Sequence, residues 1–194
     1  MSALPDDRAA LRRRLRERRR ALPAAARIAG AEALAGRLLA LPGLPAEGYV
    51  AGYWAMDGEI GLHAWQLRLP PGLVYCLPVL GADQRLRFVP WRPGDALATN
   101  RYGIPEPDVA AGLLDANALA LVVMPLVGFD PGCHRLGMGG GWYDRSFAFR
   151  RSRAAPPLLV GAGFDDQETE PLALADWDVV PDAICTPTRT LHRP

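Results

Sequence analysis

An uninterrupted apolar run, Leu119–Met124, is the feature of this sequence that most restricts its fold. A strand that is apolar at every position suits the centre of a parallel sheet, where helices cover both faces. Other segments also have strand character: Gly48–Ala55, Val74–Leu80, Leu86–Trp91, Leu158–Phe164 and the short Ala183–Thr186. Strands of this kind separated by helical segments indicate an α/β protein.

Helical segments alternate with these strands. Asp6 or Asp7 is suited to cap a helix that runs to about Leu22, and Pro23 suits the first turn of a second helix that ends near Leu41. A short helix is expected over Gly61–Leu69 and another over Gly141–Arg151, whereas 93–107 is loop-like. We predict a three-layer, Rossmann-like α/β sandwich with a mostly parallel sheet and helices on both faces. Without a repeat or a low-complexity linker, residues 1–194 are expected to form one domain.

The basic residues restrict the chemistry, because all 22 are arginine and the chain contains no lysine. A Walker-type phosphate loop needs its lysine, so that kind of ATP site is excluded, as are lysine Schiff bases. Residues 1–20 carry eight arginines against three acids, although the whole chain has a net charge of only +1. A nucleic-acid binder is the alternative that such a helix raises, but without a recognised binding motif we expect no nucleic-acid partner.

Cysteines, histidines and hydropathy point to no further site. The cysteines and histidines have no metal-ligand spacing and form no CxxC pair: Cys76, Cys133, Cys185, His63, His134 and His192. No apolar run approaches the roughly 20 residues that span a bilayer, and no secretory signal is evident. We therefore expect a cytoplasmic protein, monomeric and without a membrane partner.

The segment Arg135–Asp144, R-L-G-M-G-G-G-W-Y-D, follows the predicted central strand. In open α/β sheets, ligands bind where strands end and loops enter helices. The glycines allow backbone N–H groups to approach phosphate oxygens, Arg135 can bind a phosphate with two N–H groups, and Asp144 can hold a magnesium ion. Trp142 and Tyr143 offer flat surfaces for stacking. Glycine content alone fits a tight turn equally well.

The run Pro125–Arg145 resembles the signature of the 5-formyltetrahydrofolate cyclo-ligase family, also called methenyltetrahydrofolate synthetases. The similarity continues through nearly the whole chain in the right order. Further matching segments are Arg8–Arg12, the stretch Y-W-A-M-D-G-E-I that contains Trp54, Met56 and Glu59, Gly103–Pro107, Gly161–Gln167 and Ala175–Pro187.

This resemblance implies ATP-dependent conversion of 5-formyltetrahydrofolate to 5,10-methenyltetrahydrofolate, with release of ADP and phosphate. The formyl oxygen would first be phosphorylated, and no enzyme nucleophile is needed; Arg135 and Asp144 would support the phosphoryl transfer. The implied ATP-binding residues are Arg8, Arg12, Arg135, Leu136, Gly137, Met138, Gly139, Gly140, Gly141, Trp142 and Tyr143. The implied folate-binding residues are Trp54, Met56, Glu59, Met138, Gly139, Gly140, Gly141 and Trp142. Asp144 and Asp178 would hold Mg²⁺.

Some of these assignments have structural alternatives. A tryptophan such as Trp54 is more often a core residue than a ligand contact, Asp178 can cap a turn, and Glu106 between two prolines can be structural. The remaining arginines of residues 8–20 would form a solvated helix face. The loop also departs from some family members, which carry charged residues where Met138 and Gly140 stand and tyrosine in place of Trp142. The alternative function is a catalytically silent protein of the same fold that binds nucleotide or folate.

Overall fold

The computed structural model describes the backbone of residues 5–194 and the side chains of residues 8–110 and 112–194. The helices are α1 (Pro5–Ala21), α2 (Ala24–Leu39), α3 (His63–Gln66) and α4 (Trp142–Ser146). The strands are β1 (Gly48–Ala51), β2 (Leu73–Leu80), β3 (Leu86–Pro90), β4 (Leu97–Thr99), β5 (Pro105–Pro107), β6 (Leu119–Pro125), β7 (Gly128–Phe129), β8 (Arg135–Leu136), β9 (Leu158–Ala162), β10 (Ala183–Cys185) and β11 (Thr190–His192).

Seven strands form the main sheet, in the order β11-β10-β9-β6-β1-β2-β3. The five strands from β10 to β2 are parallel to their neighbours, whereas β11 and β3 pair antiparallel at the two edges. The strand β6, predicted from its continuous apolar run, occupies the middle of the sheet and pairs with β1 and β9. The predicted α/β fold with a mostly parallel sheet is confirmed.

Alternate residues of the central strand supply two separate cores, as the period of two in a strand requires. Leu121 and Val123 belong to the core that α2 and α3 cover, where Leu34 is fully buried. Val122 and Met124 belong to the core on the opposite face, where Phe147 from the segment after α4 packs. Helical segments therefore cover both faces, which gives the three layers that were expected.

Several element boundaries differ from the predicted ones. α1 begins at Pro5, so Asp6 and Asp7 lie in its first turn and not before it. The predicted helix over Gly141–Arg151 is divided into α4 and a 3₁₀ turn at Ala148–Arg151, because Phe147 leaves helical geometry with φ −108°. The ring of Phe147 packs against Phe88, with ring centroids 5.9 Å apart. None of the described helices is both long enough and apolar enough to cross a membrane.

The predicted loop 93–107 contains the hairpin β4–β5, and β11 was not predicted at all. Two prolines flank Glu106 in β5, and proline normally argues against a strand because it lacks an N–H donor. The Asn100 side chain stabilises the turn between β4 and β5 by accepting hydrogen bonds from the N–H groups of Tyr102 and Ile104. This hairpin matters for the site because its residues reach the main cavity.

Candidate active site

A cavity of about 310 Å³ lies beyond the carboxyl ends of β1, β2 and β6. It is lined by the segment after β1, by the glycine-rich loop after β8, by the hairpin β4–β5 and by the first helix. This is the edge of an open α/β sheet at which ligands are expected. All of the predicted ATP-binding, folate-binding and metal-binding residues line this cavity except Leu136.

Leu136 is the exception because it belongs to the short hairpin β7–β8. Its side chain is fully buried with Leu15 and Val127, and its carbonyl accepts a hydrogen bond of 2.8 Å from the Val127 N–H. Neither its side chain nor its carbonyl is available to a ligand. The part of the loop that faces the cavity therefore begins at Gly137.

The glycine-rich loop has a backbone that side chains would disturb. Gly139 and Gly141 have φ of +98° and +64°, in the left-handed region that favours glycine. A Cβ on Gly141 would lie 2.7 Å from Nη1 of Arg145. Two arginines hold the loop from outside, since Arg12 donates to the Gly137 carbonyl at 2.8 Å and Arg145 to the Gly140 carbonyl at 2.7 Å. Each bond engages a carbonyl oxygen that would otherwise repel a phosphate group.

Arg135 and Asp144 form an ion pair at the loop, with 2.7 Å between Nη2 and Oδ1. The Arg135 guanidinium also lies over the Tyr143 ring, 5.7 Å from its centroid. Among the described residues Arg135 has only this one hydrogen-bond partner, and its buried Nε has none. Buried N–H groups without partners are rare and demand an explanation, and an anionic ligand that reorients the guanidinium is a natural one.

The N-terminal half of α1 reaches the same cavity. Arg8 pairs with Asp178 at 3.1 Å, and Asp178 also accepts a hydrogen bond from the Ala175 N–H. Burial lowers the pKa of Arg12, the positive charge of Arg8 lowers it further, and Asp178 acts in the opposite direction. With Arg135, these side chains collect three positive charges around the glycine loop.

Asp144 and Asp178, the residues predicted to hold a metal ion, both line the cavity. In Asp144, one oxygen accepts hydrogen bonds from Arg135 and from the Val179 N–H. In Asp178, one oxygen accepts hydrogen bonds from Arg8 and from the Ala175 N–H. The second oxygen of each carboxylate has no partner among the described residues. The described residues contain no group of three or more His, Cys, Asp or Glu side chains placed to hold a metal. Two carboxylates suit Mg²⁺ that is bound mainly through substrate phosphates and water.

The opposite wall of the cavity is the segment after β1. Trp54 packs edge to face on Trp91 with 5.8 Å between ring centroids, so it contributes to the core as well as to the cavity. The Glu59 carboxylate accepts a hydrogen bond of 2.9 Å from the Met56 N–H. Burial raises the pKa of Glu59, although that hydrogen bond and the charge of Arg19 work in the opposite direction.

Arginines of the C-terminal half of α1 bind this segment after β1. This contact was not predicted from the sequence. Arg19 was expected on a solvated face but is 0% exposed, and it donates to the Asp57 carbonyl at 3.1 Å and to the Asp57 carboxylate at 3.0 Å. Arg16 and Arg20 pair with the same carboxylate. The helical spacing of these arginines was visible, but their partner lies 38 residues from Arg19, where no sequence pattern indicates it.

Two further groups were missed. Asn100, Tyr102, Ile104 and Glu106 bring the hairpin β4–β5 into the cavity wall. One Glu106 oxygen accepts from the Leu80 N–H and from the Asn100 side chain, both at 2.9 Å, which supports the structural alternative for this residue. Trp177 is 65% exposed and lines both the cavity and a second groove of about 380 Å³ behind the glycine loop.

No cysteine or histidine serves as a nucleophile in this arrangement. The three cysteines are buried, and burial raises the pKa of Cys76 to about 12 and that of Cys185 to about 11, so these thiols are neutral near pH 7. The ring of His134 hydrogen-bonds to the buried Asp130 at 2.8 Å, where it stabilises the β7–β8 hairpin. The cavity therefore offers positive charge, carboxylates and backbone amides, a set suited to phosphoryl transfer without a covalent enzyme intermediate.

Comparison with known proteins agrees with this chemistry. The sequence model of the 5-formyltetrahydrofolate cyclo-ligase family matches residues 5–187. The 5-formyltetrahydrofolate cyclo-ligase of Escherichia coli K12 is 33% identical over 180 residues, which cover 90% of this chain and 97% of that protein. The corresponding Haemophilus influenzae protein is 36% identical over 135 residues, or 67% of this chain and 71% of that protein. The NMR structure of Aquifex aeolicus 5,10-methenyltetrahydrofolate synthetase has a TM-score of 0.80 and 25% identity, covering 95% of this chain and 92% of that one. The chain thus belongs to the 5-formyltetrahydrofolate cyclo-ligase family.

Proposed function

We propose that this chain, an ATP-using cyclo-ligase by family, converts 5-formyltetrahydrofolate to 5,10-methenyltetrahydrofolate in the cavity beyond β1, β2 and β6. The observation that carries the proposal is that a glycine-rich loop with an incompletely bonded Arg135 and a segment presenting Glu59 line one cavity. Two substrates that must react with each other need such a shared space.

The reaction needs no group from the protein as a covalent partner. The formyl oxygen attacks the γ-phosphorus of ATP, and the bond to the bridging oxygen breaks to release ADP. The folate 10-nitrogen then attacks the activated formyl carbon and loses its proton, and the C–O bond breaks to release phosphate and leave the methenyl cation. The protein contributes by aligning the formyl oxygen with the phosphorus and by stabilising the charge on the transferred group.

The triphosphate would lie between the glycine loop and α1. Arg8, Arg12 and Arg135 supply positive charge, and the backbone N–H groups of Gly137–Tyr143 supply neutral donors. Because α4 has only five residues, its dipole adds little, and the loop amides carry more of this role than the sequence suggested. Arg135 would exchange part of its bond to Asp144 for the γ-phosphoryl group, which would give its unpartnered N–H groups acceptors.

Asp144 and Asp178 would hold Mg²⁺ with the carboxylate oxygens that have no partner among the described residues. The ion supplies neutralisation of the phosphate oxygens when it is bound. The chain's own contribution is the placement of the two carboxylates. Each is fixed by a backbone N–H group, of Val179 for Asp144 and of Ala175 for Asp178.

The pterin would lie against Trp54, Met56 and Glu59, with Trp142 and the loop glycines closing the space from the other side. An ionised Glu59 can accept hydrogen bonds from a pterin N–H edge, and a charge-assisted bond of this kind is about twice as strong as a neutral one. Burial raises the pKa of Tyr143, the charge of Glu59 raises it further and Arg135 lowers it, so the Tyr143 hydroxyl remains a neutral donor beside the loop.

The competing reading is a catalytically silent protein that binds the same ligands. Purified protein incubated with 5-formyltetrahydrofolate and MgATP distinguishes the two, because methenyltetrahydrofolate absorbs in the near ultraviolet. We expect absorbance to grow in proportion to enzyme, with one ADP formed per methenyl product. Ligand binding without product would overturn the proposed activity and leave the silent reading.

The location and assembly of the chain are also proposals. We propose a cytoplasmic monomer without membrane or nucleic-acid partners. The nucleic-acid alternative is less favoured because Arg16, Arg19 and Arg20 are all paired with Asp57, which reduces the positive charge that this helix offers to a phosphate backbone. Sedimentation of the purified protein, with and without a DNA duplex, tests both points.

A further inference from the structure

One face of α1 connects the two halves of the cavity. Arg8, Arg12, Leu15 and Arg19 recur at intervals of three or four residues, which places them on the same side of a helix. Arg8 donates to Asp178 and Arg12 to the glycine loop, Leu15 is fully buried against Val127 and Leu136, and Arg19 reaches the segment after β1. Since a helix rises about 1.5 Å per residue, Arg8 and Arg19 lie roughly 16 Å apart along it.

Arg19 is the most deeply buried charge of this face, with 0% of its side chain exposed. All three guanidinium nitrogens are used. Nε donates to the Asp57 carbonyl at 3.1 Å, Nη2 to the Asp57 carboxylate at 3.0 Å, and Nη1 to the Leu126 carbonyl at 3.3 Å, while Nη1 also lies 3.8 Å from Oε1 of Glu59. A guanidinium presents its donors in a rigid planar fork that matches acceptors at fixed positions, whereas the lysine ammonium is a compact charge on a flexible stem and cannot reproduce that spacing.

The partner of Arg19 lies at a strained point of the chain. Asp57 has φ of +53°, a left-handed conformation that non-glycine residues seldom adopt, and Gly58 follows with φ of +78°. This turn brings the Glu59 N–H within 2.9 Å of the Met56 carbonyl and the Glu59 carboxylate within 2.9 Å of the Met56 N–H. The conformation that presents Glu59 therefore needs an external hold at Asp57.

Stability alone is a poor explanation for such a residue. A buried ion pair costs desolvation that its attraction only partly offsets, so it often adds little stability compared with apolar side chains of the same size. Burial would raise the pKa of Asp57, but hydrogen bonds from Arg16 and Arg20 and the charges of Arg16 and Arg19 together lower it. The carboxylate thus stays ionised, and the contact is permanent near neutral pH.

We propose that Arg19 is a positioning residue for folate, which acts through Asp57 and Glu59 without touching either substrate. Two of its hydrogen bonds hold Asp57, the third goes to the Leu126 carbonyl just after β6, and the turn held in this way sets where Glu59 meets the pterin. The inference rests on the proposed placement of folate against Glu59. Arg19 is not among the residues assigned above to ATP, folate or magnesium.

The test compares Arg19→Met and Arg19→Lys with the control Arg18→Met, whose arginine is exposed one position away on the same helix. For Arg19→Met we expect the KM for 5-formyltetrahydrofolate to rise at least tenfold, with the KM for ATP within twofold of wild type. Arg19→Lys should restore less than half of this loss on a logarithmic scale, and Arg18→Met should resemble wild type. A full restoration by lysine would overturn the role of the three-way fork.

A purely structural role gives a different result. Partial unfolding lowers the concentration of active enzyme, so kcat falls while both KM values stay unchanged, and circular-dichroism melting shows the loss directly. That pattern would overturn the proposal. The double variant that carries Arg19→Met and Glu59→Gln supplies a second test of whether Arg19 acts through Glu59. If Arg19 acts through Glu59, the double variant should raise the folate KM less than threefold above Glu59→Gln alone, whereas fully multiplied effects would contradict it.

Failure of the proposed function would be recognised separately. Should wild type form no methenyl product, the same variants are compared by equilibrium binding of 5-formyltetrahydrofolate, followed through tryptophan fluorescence. The Arg19→Met protein should then bind at least tenfold more weakly than the Arg18→Met protein. Equal dissociation constants would overturn the positioning role whatever the activity of the wild type.

Discussion

Arg135 and Arg150 are both buried arginines that face an aspartate, with exposures of 8% and 6%, yet their hydrogen bonds differ. Arg150 uses every guanidinium nitrogen, since Nε donates to the Pro157 carbonyl, Nη1 to the Arg153 carbonyl and Nη2 to both oxygens of Asp182. Arg135 has one hydrogen-bonded nitrogen among the described residues, and its Nε is buried without a partner. Arg150 has no guanidinium nitrogen left for a ligand, whereas Arg135, beside the cavity, has N–H groups that a ligand can still engage.

The largest effect is expected from Arg135→Met. Loss of a positive charge aimed at a transferring phosphoryl group costs on the order of 10³-fold in rate. We expect a fall of about that size in kcat/KM for ATP, with a smaller drop in the unfolding midpoint than for Arg150→Met, because the native guanidinium has only one hydrogen-bonded nitrogen and Asp144 keeps the bond from the Val179 N–H. Product absorbance and thermal melting measure the two quantities. An active but unstable variant would reverse the comparison and make Arg135 structural.

The opposite pattern is expected from Arg150→Met. Breaking a buried pair leaves Asp182 partly uncompensated and costs about 3–5 kcal/mol of unfolding free energy. Per folded molecule, both KM values should stay near wild type. The control is Arg193→Met, which removes the exposed partner of the same carboxylate and should cost no more than about 1 kcal/mol. Urea titrations of wild type and the two variants measure the unfolding free energies. An equal loss of unfolding free energy in Arg150→Met and Arg193→Met would show that burial of the arginine does not decide its contribution to stability.

Asp144→Asn tests whether the cavity pair binds magnesium. The amide keeps the shape of the carboxylate but removes its charge, so we expect turnover to fall on the order of 10- to 100-fold, the range for changes around metal sites. Part of the loss should be recovered at high Mg²⁺ concentration, and the fold should be intact. Turnover that is low but does not respond to the Mg²⁺ concentration would show that Asp144 only orients Arg135 and does not bind the metal.

The smallest effect concerns pH and extends the comparison to carboxylates. Asp182 accepts four hydrogen bonds, whereas Glu59 accepts one from Met56 and has a pKa raised chiefly by burial. Glu59 therefore becomes protonated at a higher pH than an ordinary glutamate and loses an acceptor for the pterin as pH falls. We expect the folate KM to rise several-fold as the pH is lowered through that pKa. Glu59→Gln should have a higher KM that responds less to pH, and an unchanged pH profile would remove Glu59 from the folate contact.

The parts of the site that the sequence revealed are those whose chemistry is local. The glycine loop combines glycines, Arg135, Trp142 and Asp144 within ten residues, and the apolar run before it placed it at a central strand. The role of Arg19 could not be predicted from the sequence. It is one of eight arginines in residues 1–20, and what distinguishes it is its contact with a carboxylate 38 positions away. The prolines of β5 argued against a strand, so the hairpin β4–β5 was not predicted. The short length of α4 follows from the packing of Phe147, a long-range contact that no local sequence pattern indicates.

The pair formed by Arg8 and Asp178 has a consequence for how the protein is made. These residues are 170 positions apart, and both line the cavity. During synthesis the first helix emerges early, but its partner follows only after five of the seven strands of the main sheet have been translated. This side of the cavity can therefore form only late, and contacts between such distant residues slow folding. A nascent or truncated chain that ends before Asp178 would lack this contact however well its sheet had formed, so ligand binding reports the completeness of the whole polypeptide.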